Sequence, residues 1–386
     1  MKARRIITLG ALLLLVCGCR IDPPLYLRKV IDVEVEVDAA VNVDVMWQVD
    51  WEVKWDYAWN VEALGPVGYE APASMRLHSY PHDAEGGLAD HQVHNFVGEQ
   101  SRVQLTAGVY DFLFHSNDSE AILFQSNDKF DDVYAYTRVI SNGLKESSLV
   151  QTGQQKRNAS LQGGSVQTKA DDGDGGFSED PVVLMPDCLY ALYAPGQVVS
   201  DNPDNYEYIN GHYVFRIRGD LHPVTYIYLI QVHLLNNNGR VVGSAGGCAM
   251  TGMAEGADLQ TGVNATTRVS VPTDLQINPA EDPDLLGARL ISFGLPGCNP
   301  YDAQSVAAST SRHYLVLSIS YSNGSHRNIH VDIADQVRAL PLGGVISLEL
   351  DVDDFPPEEG GGGSEGGFNA LIGDWEEETG SHTIVN

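Results

Sequence analysis

The sequence predicts an all-β protein with two tandem β-sandwich domains, in residues 30–205 and 206–386. Three observations lead to this prediction. Apolar and polar residues alternate from Val33 to Val61, many short strand-like segments are separated by Gly, Pro and Asn, and no long segment has a helical period. A chain of 386 residues is long enough for two domains of ordinary size.

The alternating run places its apolar side chains on one face of an extended chain and many acidic ones on the other. Fully extended, its residues would reach roughly 95 Å, whereas strands usually have about 3–10 residues. The run must therefore break, and we expect the break near Ala39–Ala40 or Met46–Trp47. Four tryptophans would share its apolar face, either as core residues or as a platform that stacks on sugar rings. They are Trp47, Trp51, Trp55 and Trp59.

The N-terminus has the features of a bacterial lipoprotein signal peptide, residues 1–18. Three basic residues precede an apolar core, from Ile6 to Val16, that is too short to span a membrane. The junction Val16-Cys17-Gly18-Cys19 resembles a lipobox, which is cut before its last cysteine. We therefore expect a lipid on Cys19 and a tether over residues 19–29 that attaches the protein to a membrane.

The charge of the chain excludes one class of partner, and its cysteine content limits the possible disulfides. Without the signal peptide, 20 basic and 52 acidic residues remain, a formal charge of −32. Such a chain repels nucleic acid, so a nucleic-acid partner is not expected. Cys188, Cys248 and Cys298 have no CxxC spacing, which leaves one disulfide or three free thiols as alternatives.

The rest of the chain is a series of short elements. Residues 103–105 and 109–114 look like a hairpin, 224–235 is apolar enough for a central strand covered on both faces, and Asn323-Gly324 predicts a second hairpin. Residues 151–180 form an acidic loop rich in Gly, Ser and Gln. Further strands are predicted at 121–124, 133–139, 182–185, 189–193, 289–293, 314–321, 329–333, 345–352, 368–375 and 382–385, and short helices at 283–288 and 334–339.

No catalytic motif is present, so we predict a protein that is not an enzyme. The sequence lacks GxSxG, HExxH, a Walker loop and a Rossmann fingerprint. A histidine-rich segment could bind a transition metal, but its spacing fits no defined site and a solvated loop is favoured. Its histidines are His78, His82, His91 and His94. Carboxylates from Asp171 to Glu179 do not fit a calcium loop. We therefore expect neither a metal nor a cofactor.

Several motifs, taken in order, resemble an uncharacterised subfamily of the fimbrillin-like outer-membrane lipoproteins of Bacteroidetes. The segment from Leu105 to Asp118 is similar to the family's G-x-Y-x-x-L-x-(Y/F)-N strand. The other motifs are Trp47 to Tyr69, Met185 to Ala191, Thr251 to Ala254, Asp332 to Val337 and Gly367 to Trp375. The resemblance implies two transthyretin-like (Greek-key type) β-sandwich domains and a relationship to fimbrial anchor, stalk and tip subunits. It also implies that the lipid anchors the protein in the outer membrane, exposed at the cell surface.

The resemblance also implies a way of assembly. Stalk subunits of the family are cut after an arginine, lose their first strand, and accept the C-terminal strand of the next subunit in its place. Arg28 is the candidate position, but a cut there would leave the alternating run whole. This favours a lipid-anchored protein in fimbrial assembly, anchoring or adhesion, with fimbrial subunits or a host or bacterial surface ligand as partners. The alternative is a surface glycan-binding lipoprotein that uses the four tryptophans.

Overall fold

A computed structural model describes residues 30–38, 51, 54–55, 58–82, 91–97, 100–125, 133–141, 180–277 and 282–357. In these ranges the regular structure is mostly β-strand, which confirms that the fold is all-β. The strands are β1 (Val30–Asp38), β2 (Ser74–Pro81), β3 (Gln92–Val97), β4 (Gln100–Thr106), β5 (Gly108–Ser116), β6 (Ile122–Gln125), β7 (Tyr134–Thr137), β8 (Val139–Ser141), β9 (Val182–Val183), β10 (Tyr190–Val199), β11 (Glu207–Ile209), β12 (His212–Arg218), β13 (His222–Pro223), β14 (Tyr226–Leu235), β15 (Val241–Ala254), β16 (Gly256–Asp258), β17 (Arg268–Thr273), β18 (Gln276–Ile277), β19 (Leu285–Ser292), β20 (Tyr314–Tyr321), β21 (His326–Asp332) and β22 (Gly344–Asp351).

Helical structure in the described ranges is short. The α-helices are α1 (Val61–Leu64), α2 (Ala303–Ala307) and α3 (Ala334–Ala339), and single 3₁₀ turns lie at Pro203–Asn205 and Val352–Asp354. No described helix has the length and apolar character needed to cross a lipid bilayer.

The first sandwich consists of two sheets, with strand orders β11-β12-β1-β4 and β13-β10-β5-β2-β3. Residues spaced two apart on β4 and β5 point into the space between the sheets, as the period of a strand requires. Val103 and Leu105 of β4 meet Phe112 and Phe114 of β5 in one buried cluster. The core of this sandwich is therefore rich in aromatic rings.

The second sandwich pairs the sheet β18-β19-β14-β22 with the sheet β21-β20-β15-β17-β9-β8. Its core is mainly aliphatic and includes Ile230, Val232, Leu290 and Leu317. The central strand β14 is covered on both faces, as predicted, because its even-numbered residues enter this core while Ile227 and Leu229 belong to a cluster on the outer face. The almost unbroken apolar sequence of β14 fits this double burial.

A third sheet and a small apolar cluster connect the two sandwiches. A third sheet, β16-β7-β6, joins segments from both halves of the chain. Leu113 and Ala191 of the first sandwich pack with Ala257 and Phe293 of the second. The predicted boundary at 205/206 does not coincide with the sheets, because β11 and β12 complete the first sandwich while β8 and β9 lie in the second.

Two local predictions are confirmed and two are wrong. The hairpin at Asn323-Gly324 is formed by β20 and β21, and α3 is the helix predicted at 334–339. The helix predicted at 283–288 is wrong, since β19 begins at Leu285 and buries both of its faces. The hairpin predicted at 103–114 is also wrong. Here β4 pairs with β1, and β5 pairs with β2 and β10, so the turn crosses between sheets.

The alternating run is not one strand. It forms β1 up to Asp38 and a helical turn by Trp51, where the Trp55 N–H donates to the Trp51 carbonyl oxygen at 3.0 Å. Residues 39–50, in which we expected the break, lie outside the described residues. A four-residue spacing puts side chains on one face of a helix as well as of a strand, so the tryptophan pattern did not distinguish the two. The predicted strands at 368–375 and 382–385 and the acidic loop at 151–179 lie outside the described residues.

Candidate functional site

Strand β1 lies in the interior of its four-stranded sheet. It lies between β12, to which it runs parallel, and β4, to which it runs antiparallel. Backbone pairing extends from Val33–Tyr213 to Asp38–Arg218 on one side and from Val30–Thr106 to Glu36–Gln100 on the other. Arg28 and Cys19 lie outside the described residues. Because β1 begins at Val30, a cut after Arg28 would leave both sets of pairs in place.

The tryptophan segment covers the outer face of the second sandwich. Trp55 is only 9% exposed and packs with Ile227, Leu229, Ile291 and Val345. Trp51 and Trp59 are half-buried beside it. The Trp55 and Trp59 rings are 5.0 Å apart and inclined by 63°, so they are not coplanar. The described tryptophans thus serve packing, and they do not form the flat, exposed surface that the glycan-platform alternative requires; Trp47 lies outside the described residues.

Polar contacts fix this segment against the sheet. The Gln231 side-chain amide donates to the Lys54 carbonyl oxygen at 2.6 Å, and the Trp59 indole N–H donates to the Gly65 carbonyl oxygen at 2.6 Å. Tyr69 contributes its hydroxyl, which accepts a hydrogen bond from the Ile227 N–H at 3.2 Å. The chain that follows the tryptophans is therefore held close to β14 and β19.

This chain forms one wall of a cleft of about 290 Å³ between the two sandwiches, which we call the Arg289 cleft. Its walls come from the segment 66–72, from residues 118–119 and from residues 187–190, with Arg289 and Ile291 of β19 below. Its other polar and ionisable side chains include those of Cys188, Tyr190, Asp118 and Asp187.

Arg289 is the most unusual residue of the cleft. It lies between Ala288 and Leu290, which point into the aliphatic core, so its own side chain points to the opposite face. The residue is only 8% exposed and its Nε atom has no hydrogen-bond partner. Among the described residues no carboxylate forms an ion pair with it, and its neighbour is the Cys188 thiol. Burial raises the pKa of that thiol although Arg289 acts in the opposite direction, so the sulfur is neutral.

The mouth of the cleft is acidic. Glu70, Asp118 and Asp187 are exposed there. Asp118 accepts a hydrogen bond from the Ala73 N–H through Oδ2 at 2.7 Å. Asp187 uses its Oδ2 to accept from the Ser119 hydroxyl at 2.7 Å and from two backbone N–H groups. One oxygen of each aspartate is thus used to hold the loops of the cleft, and a buried cation lies beneath an anionic rim.

The histidine segment forms a buried stack with a partner that the sequence analysis missed. His78 Nδ1 lies 3.3 Å from His91 Nε2, and His78 Nε2 lies 3.1 Å from His115 Nε2. His115 Nδ1 faces the Ser116 carbonyl at 2.8 Å, so this nitrogen carries a proton. The chain of bonds is then complete with neutral rings, each donating to the next. Burial, with neighbouring positive charge, lowers the pKa of His78 to about 3, and burial lowers that of His115 to about 4.

The remaining two histidines of the segment lie apart from this stack. His82 Nε2 is 3.1 Å from Asp111 Oδ2, while His94 lies on the neighbouring strand β3, opposite Leu77. In the part of the chain that is described, no three His, Cys, Asp or Glu side chains are arranged to bind a metal. The calcium candidate, Asp171 to Glu179, lies outside the described residues.

The three cysteines of the two sandwiches are free thiols. Cys248 and Cys298 are buried and Cys188 is half-buried, and none is in a disulfide. Of the two alternatives left open by the sequence, three free thiols is the one found.

Comparison with known proteins gives one family and a set of distant structural likenesses. A candidate adhesin from Bacteroides ovatus has 14% identity and a TM-score of 0.47, with 86% of this chain and 94% of that chain covered. The fimbrial anchor protein Mfa2 from Porphyromonas gingivalis has 11% identity and a TM-score of 0.40, covering 83% and 91%. A candidate polysaccharide-binding protein (DUF1812) from Bacteroides thetaiotaomicron has 8% identity and a TM-score of 0.39, covering 85% and 94%.

No curated protein matches the chain. The family model described as a domain of unknown function, DUF5119, matches residues 51–274, from the first described tryptophan to the end of β17. The match spans more than half of the sequence, and the chain therefore belongs to the DUF5119 family.

Proposed function

We propose that this protein is a lipid-anchored, fimbrillin-like protein of the outer membrane that acts as an anchor or accessory subunit in fimbrial assembly, or in adhesion. In this proposal its two sandwiches are transthyretin-like and its lipid is carried by Cys19. The observation that supports an anchoring role most directly is the position of β1 in the middle of its sheet.

The pairing of β1 bears on assembly because a stalk subunit needs an open slot. Here the slot between β12 and β4 is filled by the chain's own strand, which is hydrogen-bonded on both sides. Each backbone hydrogen bond contributes about 0.5–1.5 kcal/mol net, so removal of β1 would be costly. A subunit that keeps this strand can end a polymer or stand alone, but it cannot take a donor strand in that position.

The distance from Cys19 to β1 fits an anchor close to the membrane. About eleven residues separate Cys19 from Val30, which gives a reach of at most roughly 40 Å. Without the signal peptide the chain carries a formal charge of −32, so anionic head groups would repel it. Attachment would then depend on the acyl chains, whose burial contributes about 0.8 kcal/mol for each CH₂ group.

Mass analysis of the N-terminus of the protein from membrane fractions tests the proposal. We expect an N-terminal peptide that begins at an acylated Cys19, and we expect Cys19→Ala to release the protein from the membrane fraction. Cys17→Ala is the matched control and should leave the anchor intact, because position 17 is lost with the signal peptide. A mature protein that begins at Lys29 would contradict the proposal.

A further inference from the structure

We propose that the Arg289 cleft is a binding site for the carboxylate of a sugar acid, such as a uronic or sialic acid unit of a surface glycan. This proposal gives a ligand class for the adhesive role in the proposed function. It rests on the proposed function only because it requires the protein to be exposed to extracellular glycans. None of the described tryptophans lines the cleft, so none is proposed to contact the ligand.

The cation at the base of the cleft calls for an anionic partner that the described chain does not supply. Moving a charged group out of water costs several kcal/mol unless it is paired and hydrogen-bonded. Arg289 is 8% exposed, its Nε has no partner, and its neighbour is the neutral thiol of Cys188. A planar guanidinium offers two parallel N–H groups to a carboxylate, the geometry in which arginine binds most strongly. A ligand carboxylate would therefore meet an incompletely paired charge.

The position of Arg289 is also fixed before any ligand arrives. Its backbone pairs with Leu229 in the centre of the second sandwich, and its carbonyl accepts a hydrogen bond from the Thr273 hydroxyl at 2.7 Å. The Cβ position of Gly65 would lie 3.9 Å from Arg289 Nη1, so the segment before the cleft contacts the guanidinium from above. A rigid, preorganised group loses little freedom on binding, which favours affinity.

The rim limits what kind of anion can enter. Glu70, Asp118 and Asp187 would repel a phosphate group or a polyanion more strongly than a single carboxylate, because the repulsion grows with the charge of the ligand. The same carboxylates accept hydrogen bonds, and Asp118 and Asp187 each have one oxygen, Oδ1, with no hydrogen bond to the described residues. A ligand with a single carboxylate and several hydroxyl groups could pair its carboxylate with Arg289 and donate hydrogen bonds from its hydroxyl groups to the rim carboxylates. A sugar acid has this chemistry.

The size of the cleft agrees with a single sugar unit. Its volume of about 290 Å³ lies at the lower end of ligand pockets, which measure about 300–1,000 Å³. One unit at the end or side of a glycan would fit, and its neighbours would extend past the exposed rim residue Ala71.

Calorimetric titration of the detergent-solubilised full chain with sodium D-glucuronate, sodium N-acetylneuraminate and D-glucose tests the proposal. We expect at least one of the two acids to bind at least about tenfold more tightly than glucose. Arg289→Met should weaken that binding by about tenfold or more, and Arg289→Lys by less, because lysine keeps the charge but loses the planar fork. Arg338→Met is the matched control, since Arg338 pairs with Asp335 on the surface of α3, and it should leave binding unchanged.

A second variant keeps the test decisive if Arg289→Met does not fold. Ala71→Trp places a bulky ring at the exposed rim without touching the core, and it should abolish binding. The proposal is overturned if neither acid binds better than glucose, or if binding survives Arg289→Met or Ala71→Trp. The N-terminal mass analysis reads out the anchor alone, so failure of either proposal can be told from failure of the other.

Discussion

The two sandwiches differ in the kinds of side chain that they bury. The core of the second is mainly aliphatic, and the outer face of its β14 sheet is also covered, by Trp55 and its neighbours. The first has an aromatic core and in addition buries a stack of neutral histidines, with Asp111 beside His82. Hydrophobic burial contributes a stability that depends little on pH, whereas neutral buried imidazoles make stability depend on pH. The described part of the second sandwich also contains two such imidazoles, His313 and His330, but they do not form a stack with each other.

The two features on which the proposals rest also lie in different sandwiches. Strand β1, on which the proposed anchoring role rests, belongs to the first sandwich, and the cation of the Arg289 cleft belongs to the second. The cleft is closed by loops from the first sandwich, through Asp118 and Asp187. The second sandwich therefore supplies the base of the cleft, and loops next to the first sandwich supply part of its rim.

The strongest test of this comparison is Trp55→Ala. Truncation of a buried tryptophan costs about 3–5 kcal/mol, and here it would expose Ile227, Leu229 and Val345 of the central sheet. We expect the free energy of unfolding to fall by that amount in urea titrations. Val61→Ala, at a side chain that is 60% exposed, should change it by less than about 0.5 kcal/mol. A loss below about 1 kcal/mol for Trp55→Ala would show that the second sandwich does not need its outer cover.

A pH titration of stability tests the buried histidines. The pKa of His78 is lowered to about 3, and those of His115 and His313 to about 4, in each case mainly by burial. In the unfolded chain the pKa of histidine is about 6.5. As the pH falls from about 6.5 to about 4, the unfolded state therefore binds protons that the folded state does not. The free energy of unfolding should decrease in this window, by up to about 1.4 kcal/mol per pH unit for each histidine.

Two single variants divide this pH dependence between the regions. His115→Gln removes one titrating group of the first sandwich and also a neighbour that lowers the pKa of His78. His313→Gln removes one group of the second sandwich, with no partner histidine involved. We expect the slope of unfolding free energy against pH to decrease more for His115→Gln than for His313→Gln. Equal decreases would mean that the histidine stack does not act as a coupled unit.

The fold class and the local turns could be predicted from the sequence, but the sheet partners could not. The hairpin of β20 and β21 follows from Asn323-Gly324, because Gly324 has the positive φ of 81° that this short turn requires, and a short turn fixes the pairing of its own flanks. Apolar and polar residues alternate as regularly on β4 and β5. This alternation predicts which face of each strand is buried, but it does not predict which sheet the strand joins. For that reason 103–114 looked like a hairpin when it is a crossing between sheets.

The candidate sites show the same limit. Arg289 stands in an apolar strand with the parity of Ile291, a signal that could have marked it as facing the tryptophan segment. Its neighbours Cys188 and Gly65 are distant in sequence, so the cleft itself could not be inferred. His115 joins His78 and His91 only because β5 pairs with β2. Long-range pairing decides these arrangements, and no single-sequence pattern encodes it.

The smallest expected effect concerns the crossing from β4 to β5 in the first sandwich. The Tyr110 hydroxyl donates to the Thr106 carbonyl oxygen at 2.8 Å and accepts from the Thr106 N–H at 3.1 Å. This local bridge resembles the tyrosine corner of other β-sandwiches and fixes the chain where it leaves one sheet for the next.

Tyr110→Phe keeps the ring in the aromatic core and removes only this bridge, so the free energy of unfolding should fall by about 1 kcal/mol. Tyr208→Phe is the matched control because Tyr208 is 65% exposed on β11, and its effect should be close to zero. If the two variants were equally stable, packing of Phe112 and Phe114 alone would determine the crossing. The first sandwich would then depend, like the second, on apolar burial rather than on its polar contacts.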